Sequence, residues 1–232
     1  MASTTLLDTQ SRKPAHIIYR KSVKPPKAGM IKSGKHNAKL GGKVTVKMWQ
    51  GMPIYQLSLE ERATCPTSCD QWENCYGNNM PFAHRYDHTD ADFYRILAED
   101  IDRLAQKHPN GFVLRLHVLG DFFNVGYVGF WIGQLTLHPE LHIFGFTHFS
   151  PQTYVGAQIE AYSNSLDLGP RFRIRFSDMP QYKFSANVQK PGYIATVGKE
   201  VICPQQEGKT PTCGSCGLCW SQPDRKIVFL EH

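Results

Sequence analysis

The sequence predicts an α/β fold whose strands run parallel, arranged as an open sheet or a barrel. Two observations support this prediction. Between residues 87 and 177, segments with the two-residue alternation of strands take turns with segments that have the 3.6-residue period of helices. Three of these strands are also followed directly by polar residues, and ligand sites in parallel α/β folds lie at the carboxyl ends of strands.

Length and composition fit a globular protein. The 232 residues allow one α/β domain or two small ones, and 41% of them are hydrophobic. No apolar run approaches the roughly 20 residues that cross a bilayer, and the N-terminus lacks the hydrophobic region of a secretory signal. We therefore expect a cytoplasmic protein with no membrane partner.

The N-terminal region is basic. The first 47 residues carry eleven Lys and Arg against one acid, Asp8, and supply much of the formal charge of +6. Residues 1–30 lack a sustained periodicity and are predicted to form a disordered or loosely attached arm. Such an arm could contact the phosphates of a nucleic acid or remain a solvated tail.

The first predicted elements flank a cysteine-rich loop. Lys43 to Trp49 and Pro53 to Leu59 have strand patterns and precede the loop. After the loop, the apolar stripe of Asp87 to Lys107 predicts an amphipathic helix. A strand over Phe112 to Leu119 follows directly.

The remaining elements continue the alternation of helices and strands. Helices are predicted over Val125 to Leu137 and Pro151 to Asn164. The later predicted strands are His142 to His148, Arg171 to Ser177, Tyr193 to Val197, Glu200 to Ile202 and Ile227 to Leu230.

Polar residues in and after the strands are candidate catalytic residues. Arg115 and His117 share one face of their strand, and that face is too polar to pack only against a hydrophobic core. His148 and Asp178 each follow a strand. Arginine forks suit carboxylate and phosphate groups, so an anionic ligand is one reading of the arginines.

Arg171 to Ser177 alternates arginine with apolar residues. Arg171, Arg173 and Arg175 lie on one face, and the apolar residues lie on the other. The arginine face could bind a small anionic ligand or nucleic acid. It is equally typical of an edge strand whose arginines are solvated.

Seven cysteines, an odd number, fall into two clusters, which favours metal binding in a reducing compartment over disulfides. The first cluster, Cys65, Cys69 and Cys75, lies in the loop Thr64 to Asn79. Three thiolates leave one position of a zinc ion, or one iron of a [4Fe–4S] cluster, open. A zinc knuckle completed by His84 or His88 is the alternative.

The second cysteine cluster is C-terminal: Cys203, Cys213, Cys216 and Cys219. The last three are spaced by two residues each, and Cys203 supplies a fourth thiolate. Zinc ribbons usually divide their ligands into two pairs, so this pattern favours iron–sulfur over zinc. Cys203 could instead complete the first cluster.

The chain resembles the radical S-adenosylmethionine superfamily, and more closely a group of radical-SAM-like proteins of bacteriophages and mobile elements. The resemblance covers roughly residues 50 to 220 and rests on CPTSCDQWENCY, RLHVLGDFFN and CGSCGLCW. In this chain the cysteines of the first motif are separated by three and then five residues, where the superfamily has three and two. Asp121 stands where the superfamily has Glu after the glycine.

The resemblance implies a partial or shortened (β/α) barrel, because a full barrel needs ~250 residues. It implies that Cys65, Cys69 and Cys75 hold a [4Fe–4S] cluster whose open iron binds the methionine part of S-adenosylmethionine. Tyr76, Gly120 and Asp121 would contact this cofactor. Reduction would then produce a 5′-deoxyadenosyl radical. If the source is viral, the location is the host cytoplasm.

Two hypotheses of function follow. The first is a radical enzyme with one open-site cluster and a second cluster on four cysteines. The second is a non-enzymatic iron–sulfur or zinc protein that binds nucleic acid or a host partner through its basic arm and arginine strand. On either hypothesis the chain divides into an arm (1–30), an α/β core (31–202) with the cluster loop 64–79, and a cysteine-rich segment with a final strand (203–232).

Overall fold

The computed structural model describes residues 23–72, 75–80 and 82–231. The strands are β1 (Val23–Lys24), β2 (Lys32–Ser33), β3 (Ile54–Gln56), β4 (Arg85–Tyr86), β5 (Phe112–Leu116), β6 (Leu141–Thr147), β7 (Phe172–Ser177), β8 (Ser185–Gln189), β9 (Glu200–Ile202) and β10 (Lys226–Leu230). The α-helices are α1 (Glu61–Thr64), α2 (Phe93–Lys107), α3 (Val125–Leu137), α4 (Tyr154–Ser163), α5 (Cys213–Cys216) and α6 (Leu218–Ser221). Short 3-10 helices cover Gly34–His36 and Tyr76–Asn79.

Eight strands form one mixed sheet in the order β2-β3-β5-β6-β7-β8-β10-β9. Strand β2 pairs antiparallel with β3, and every other neighbouring pair is parallel. The predicted α/β class with mostly parallel strands is therefore confirmed. Strands β1 and β4 form a separate parallel pair.

The alternation of side chains gives the sheet two different faces. On β5, Phe112, Leu114 and Leu116 point to the core that α2, α3 and α4 cover. Val113 and Arg115 point to the other face, where a second core forms around Trp49 and Trp220. The rings of these two tryptophans stack with centroids 5.5 Å apart. The helices thus occupy one face and leave the other for the cysteine-bearing segments.

The central helices begin where polar side chains cap them. Asn124 Oδ1 accepts the backbone N–H of Tyr127 at 2.8 Å, and α3 covers the residues predicted from the sequence. Thr153 Oγ1 caps α4 by accepting the N–H of Gly156. Helix α2 begins at Phe93, six residues after the predicted start at Asp87, because Asp87 and Thr89 bond each other in a turn.

Two predicted strands are wrong, and four strands, β1, β2, β4 and β8, were not predicted. Residues 43–49 form a loop with one isolated bridge, from Lys43 to Pro53, and Val44 is buried by packing on the C-terminal segment. Residues 193–197 form turns and coil. Strand β8 instead supplies the neighbour of β7; its sequence SANVQ alternates polar and apolar residues but contains only one β-branched residue, Val188.

The predicted basic arm lies largely outside the described residues, which exclude 1–22. Its described part, residues 23–30, is attached to the core rather than loose. Strand β1 pairs with β4, and the carboxylate of buried Asp100 accepts the backbone N–H groups of Gly29 and Ile31 at 2.7 and 3.0 Å. Among the helices of the described part of the chain, none is both long and apolar enough to cross a bilayer.

The edge-strand reading of the arginine segment is wrong, because β7 is paired on one side with β6 and on the other with β8. Arg175 is fully buried. Arg171 donates to the carbonyls of Leu135, His138 and Leu141. These two arginines therefore bind the protein's own backbone.

Candidate functional site

The first cysteine loop follows α1 and is braced by it. The guanidinium of Arg62 lies over the ring of Trp72, 4.9 Å from its centroid, and donates to the carbonyl of that residue. It also donates to Asn78 Oδ1 at 3.0 Å. One side chain therefore ties together both halves of the loop.

A buried ion pair fixes the second half of the loop. Arg85 Nε donates to Glu61 Oε2 at 2.7 Å, and the two side chains are 0% and 3% exposed. The other two guanidinium nitrogens donate to Glu61 Oε1 at 2.9 Å and to the carbonyls of Gly77, Met80 and Ala83. Arg85 thus holds the backbone after Cys75 in one position, because a buried guanidinium must keep its hydrogen bonds.

The thiols of Cys65, Cys69 and Cys75 form one electrostatic group. Burial is the first cause that raises the pKa of each thiol, and neighbouring thiols add to the shift for Cys65 and Cys69. The pKa of Cys69 rises to about 12, although a backbone N–H of Gln71 opposes the shift. A backbone N–H of Gly77 does the same for Cys75. Thiols of this kind are protonated at neutral pH until a metal binds them.

Gly120 and Asp121 join the loop to the sheet. Gly120 has φ +87°, and a Cβ there would lie 2.7 Å from Thr64 Oγ1, so glycine alone fits against α1. The N–H of Asp121 donates to the same Thr64 oxygen at 3.1 Å. Its carboxylate accepts the N–H groups of Phe122 and His148, each at 2.7 Å. Asp121 therefore links the ends of β5 and β6.

Three of the C-terminal cysteines, Cys213, Cys216 and Cys219, lie on short helices docked against the N-terminal part of the core. A capping box between Thr212 and Ser215 starts α5. The N–H of Cys213 donates to the carbonyl of Lys39 at 2.8 Å. Cys203 follows β9, and its N–H donates to the carbonyl of Val228 at 2.8 Å.

The four C-terminal thiols also form one electrostatic group. Burial raises the pKa of Cys219 to about 12, with smaller contributions in the same direction from Cys213, Cys203 and Cys216. Burial likewise raises the pKa of Cys213, and the cations of Arg115 and Lys39 oppose that shift. Positive side chains thus lie beside this set, and they would stabilise thiolates.

Both cysteine sets face one cavity of about 720 Å³. Its walls include Cys65, Cys69, Cys75, Cys203, Cys213 and Cys219. The guanidinium of Arg115 also lines the cavity and lies over the Phe146 ring at 5.6 Å. Arg115 Nε is buried and has no hydrogen-bond partner among the described residues. The cavity is therefore the place where a ligand would meet both cysteine sets.

His117 and Tyr76 are two further residues that the sequence predicted for the site. His117 has φ +52° and ends β5, and its ring packs on Phe122 and Tyr127, with Nε2 3.2 Å from the Tyr127 hydroxyl. His117 also lines the cavity that Arg115 lines. Burial lowers the pKa of His117 to about 3. Tyr76 is 45% exposed and lines the cavity.

His148 and Asp178 are brought together, as their positions after adjacent strands suggested. His148 Nε2 lies 3.5 Å from Asp178 Oδ2. A third residue, Asp70 of the cysteine loop, meets them. The sequence offered no spacing signal for Asp70, and none for the Glu61–Arg85 pair, because both arise from contacts between distant segments. His88, one of the alternative zinc ligands, packs on Phe123 with ring centroids 4.4 Å apart.

Comparisons of the chain with protein-family models, with curated proteins and with solved structures gave no match.

Proposed function

We propose that the protein is an iron–sulfur protein of the radical S-adenosylmethionine type. A [4Fe–4S] cluster with an open iron would be held by Cys65, Cys69 and Cys75, and a second cluster by Cys203, Cys213, Cys216 and Cys219. The observation that carries this proposal is the separate grouping of three and four thiols around one cavity. Three ligands leave a coordination position for a small molecule, whereas four close the site.

The protein's own residues would hold and orient the ligands. Backbone N–H groups of Gln71 and Gly77 point at the thiols of Cys69 and Cys75, where they would stabilise thiolates. Asp121 lies close enough to Cys65 to raise its pKa, so its carboxylate would attract the amine of an S-adenosylmethionine bound at the open iron. A reduced cluster would supply the electron that splits this cofactor.

In this proposal the sheet forms a partial (β/α) barrel, and residues 203–232 form its cluster-binding segment. Six consecutive pairs of strands are parallel, and the helices α2, α3 and α4 pack on one face. In barrels of this kind the reactive site lies at the carboxyl ends of the strands. Gly120, Asp121, His148 and Asp178 follow strands of this sheet.

Iron and acid-labile sulfide in anaerobically prepared protein test the clusters. We expect roughly eight irons per chain, four for each [4Fe–4S] cluster. The triple variant Cys65→Ala/Cys69→Ala/Cys75→Ala should keep about half of the iron, and so should Cys213→Ala/Cys216→Ala/Cys219→Ala. Stoichiometric zinc without sulfide would overturn the proposal, and a single triple variant that lost all iron would overturn the division into three and four.

Binding of S-adenosylmethionine separates the enzyme from a non-enzymatic cluster protein. We expect the reduced protein to bind this cofactor and to release 5′-deoxyadenosine slowly. Asp121→Ala should weaken binding by about 1–3 kcal/mol, because a charged partner is left unpaired. Intact, reduced clusters that bind no S-adenosylmethionine would leave the alternative, a cluster protein that binds nucleic acid or a host partner.

A further inference from the structure

Three side chains from three separate segments meet near the first cysteine loop. Asp70 comes from that loop, His148 follows β6, and Asp178 follows β7. One ligand atom from each lies within 4.8 Å of the other two. We propose that these residues bind a divalent cation of the Mn²⁺, Fe²⁺ or Zn²⁺ class, at a site that lies beside Cys69 and uses no cysteine as a ligand.

The spacing between His148 and Asp178 suits two ligands of one ion better than a direct hydrogen bond. His148 Nε2 and Asp178 Oδ2 are 3.5 Å apart, which is long for a hydrogen bond. Bonds of about 2.1 Å to one ion, at a tetrahedral angle, place two ligand atoms about 3.4 Å apart. Elsewhere in the chain, His138 Nε2 and Asp102 Oδ1 approach to 2.9 Å, as a directly bonded pair does.

A second observation is that the facing atoms lack partners. His148 Nε2 and Asp178 Oδ2 are both buried and make no hydrogen bond within the described part of the chain. Buried polar atoms in folded proteins are nearly always hydrogen-bonded, so these two facing atoms are both available to bind a further partner. A cation between the two atoms would satisfy both.

Neighbouring bonds hold the two ligands in place. Asp178 Oδ1 accepts the N–H of Val188 at 2.8 Å, which leaves Oδ2 directed at His148. The backbone N–H of His148 donates to Asp121 Oδ2 at 2.7 Å, which fixes the start of the loop after β6. Metal ligands are commonly oriented by such outer bonds.

The donor set defines the class of ion. Two carboxylates favour Mg²⁺, Ca²⁺ and Mn²⁺, whereas an imidazole favours Zn²⁺, Fe²⁺ and Ni²⁺. A site with both donor types and no thiolate suits Mn²⁺, Fe²⁺ and Zn²⁺. Three protein ligands also leave coordination positions open. Because His148 lines the cavity, an anionic group of a ligand there could fill one of them.

Manganese is the probe of choice, because it prefers oxygen and nitrogen ligands and thiolates compete for it poorly. We expect the anaerobically purified full-length protein to bind one Mn²⁺ per chain, measured from the loss of the free Mn²⁺ signal in electron paramagnetic resonance. His148→Gln, Asp178→Asn and Asp70→Asn should each weaken binding at least about tenfold. His138→Gln, the matched change in the directly bonded pair, should leave the affinity unchanged.

The site is disproved if folded His148→Gln and Asp178→Asn proteins bind Mn²⁺ as tightly as the parent chain. It is also disproved if the parent chain binds no Mn²⁺ saturably up to about 1 mM, the weak end of specific cation sites. If either buried substitution unfolds the protein, Asp70→Asn decides, because Asp70 is exposed. Iron and sulfide are measured in the same samples, so loss of the clusters is distinguished from loss of this site.

Discussion

Arg175 Nε donates a hydrogen bond to the backbone carbonyl of Cys219, with 2.9 Å between the two atoms. The other four guanidinium N–H groups donate to the carbonyls of Ser185, Leu218, Gln222 and Arg225. All five donors of the side chain are therefore used within the protein. A buried cation on β7 holds the helix that carries the last cysteine, and it counters the negative charge of a nearby thiolate.

Arg175→Met should lower the free energy of unfolding by about 3 kcal/mol, because five carbonyl groups lose their donor. It should also detach the helix that carries Cys219 from β7 and so lower the iron bound by the C-terminal cysteines. Denaturant unfolding and iron content measure the two effects. Arg173→Met is the matched control on the same face of β7, where the side chain lies over the Phe184 ring at 5.2 Å. It should cost less than about 1 kcal/mol. Equal losses in the two variants would contradict a special role of Arg175.

Glu61→Gln should loosen the first cysteine loop, because it leaves Arg85 buried without a carboxylate. We expect a loss of about 3 kcal/mol in the free energy of unfolding and faster amide exchange at residues 76–80. Glu99→Gln removes the acid of an exposed pair with Arg95, whose atoms lie 2.8 Å apart, and should change stability by less than about 0.5 kcal/mol. The prediction fails if the two variants are equally stable.

Gly120→Ala should destabilise the junction between β5 and α1. The residue has φ +87°, and the added Cβ would meet Thr64 Oγ1 and Leu59 Cβ below 3 Å. We expect a cost of about 1–3 kcal/mol in denaturant unfolding. Gly133→Ala, on the open surface of α3, has no atom within 4 Å of the new methyl group and should stabilise by about 0.5–1 kcal/mol. An unchanged free energy of unfolding in Gly120→Ala would contradict this prediction, because it would mean that α1 can move to make room for the methyl group.

His117 should make stability depend on pH. Burial lowers its folded-state pKa to about 3, whereas an unfolded chain has the ordinary value near 6.5. Below about pH 6.5 the unfolded state binds the extra proton, so stability falls as pH drops toward 3, by at most about 1.4 kcal/mol per pH unit. His117→Asn should lose less stability between pH 7 and pH 5 than the parent chain does. Parallel pH curves for the two proteins would rule out His117 as the source.

The sheet and the central helices were predictable because burial of one face makes apolar residues recur at regular intervals along the sequence. Phe112, Leu114 and Leu116 alternate along β5 since one face of that strand meets the helices. The grouping of the cysteines into two sets was also predictable, because most members of each set lie close together in the sequence. Such features are local, so a short stretch of sequence contains them.

The features that were not predictable depend on distant partners. Strand β8 exists because β7 and β10 pair with it, not because SANVQ favours extended backbone. Arg175 looks like a surface arginine in sequence, and it is buried because carbonyls about 44 residues later surround it. His117 departs from its strand because its backbone is left-handed, which no alternation pattern reveals.

Strand β10 lies between β8 and β9, although both precede it in the chain. Neither β8 nor β9 has its full set of hydrogen bonds until residues 226–230 lie between them as β10. Pairing of segments so far apart in the chain slows folding, because the entropy of loop closure is lost before the stabilising contacts form. The backbone of Cys203 bonds to Val228 of that late strand. Cys203 therefore cannot reach its final position beside the other C-terminal cysteines until β10 has paired with β8 and β9.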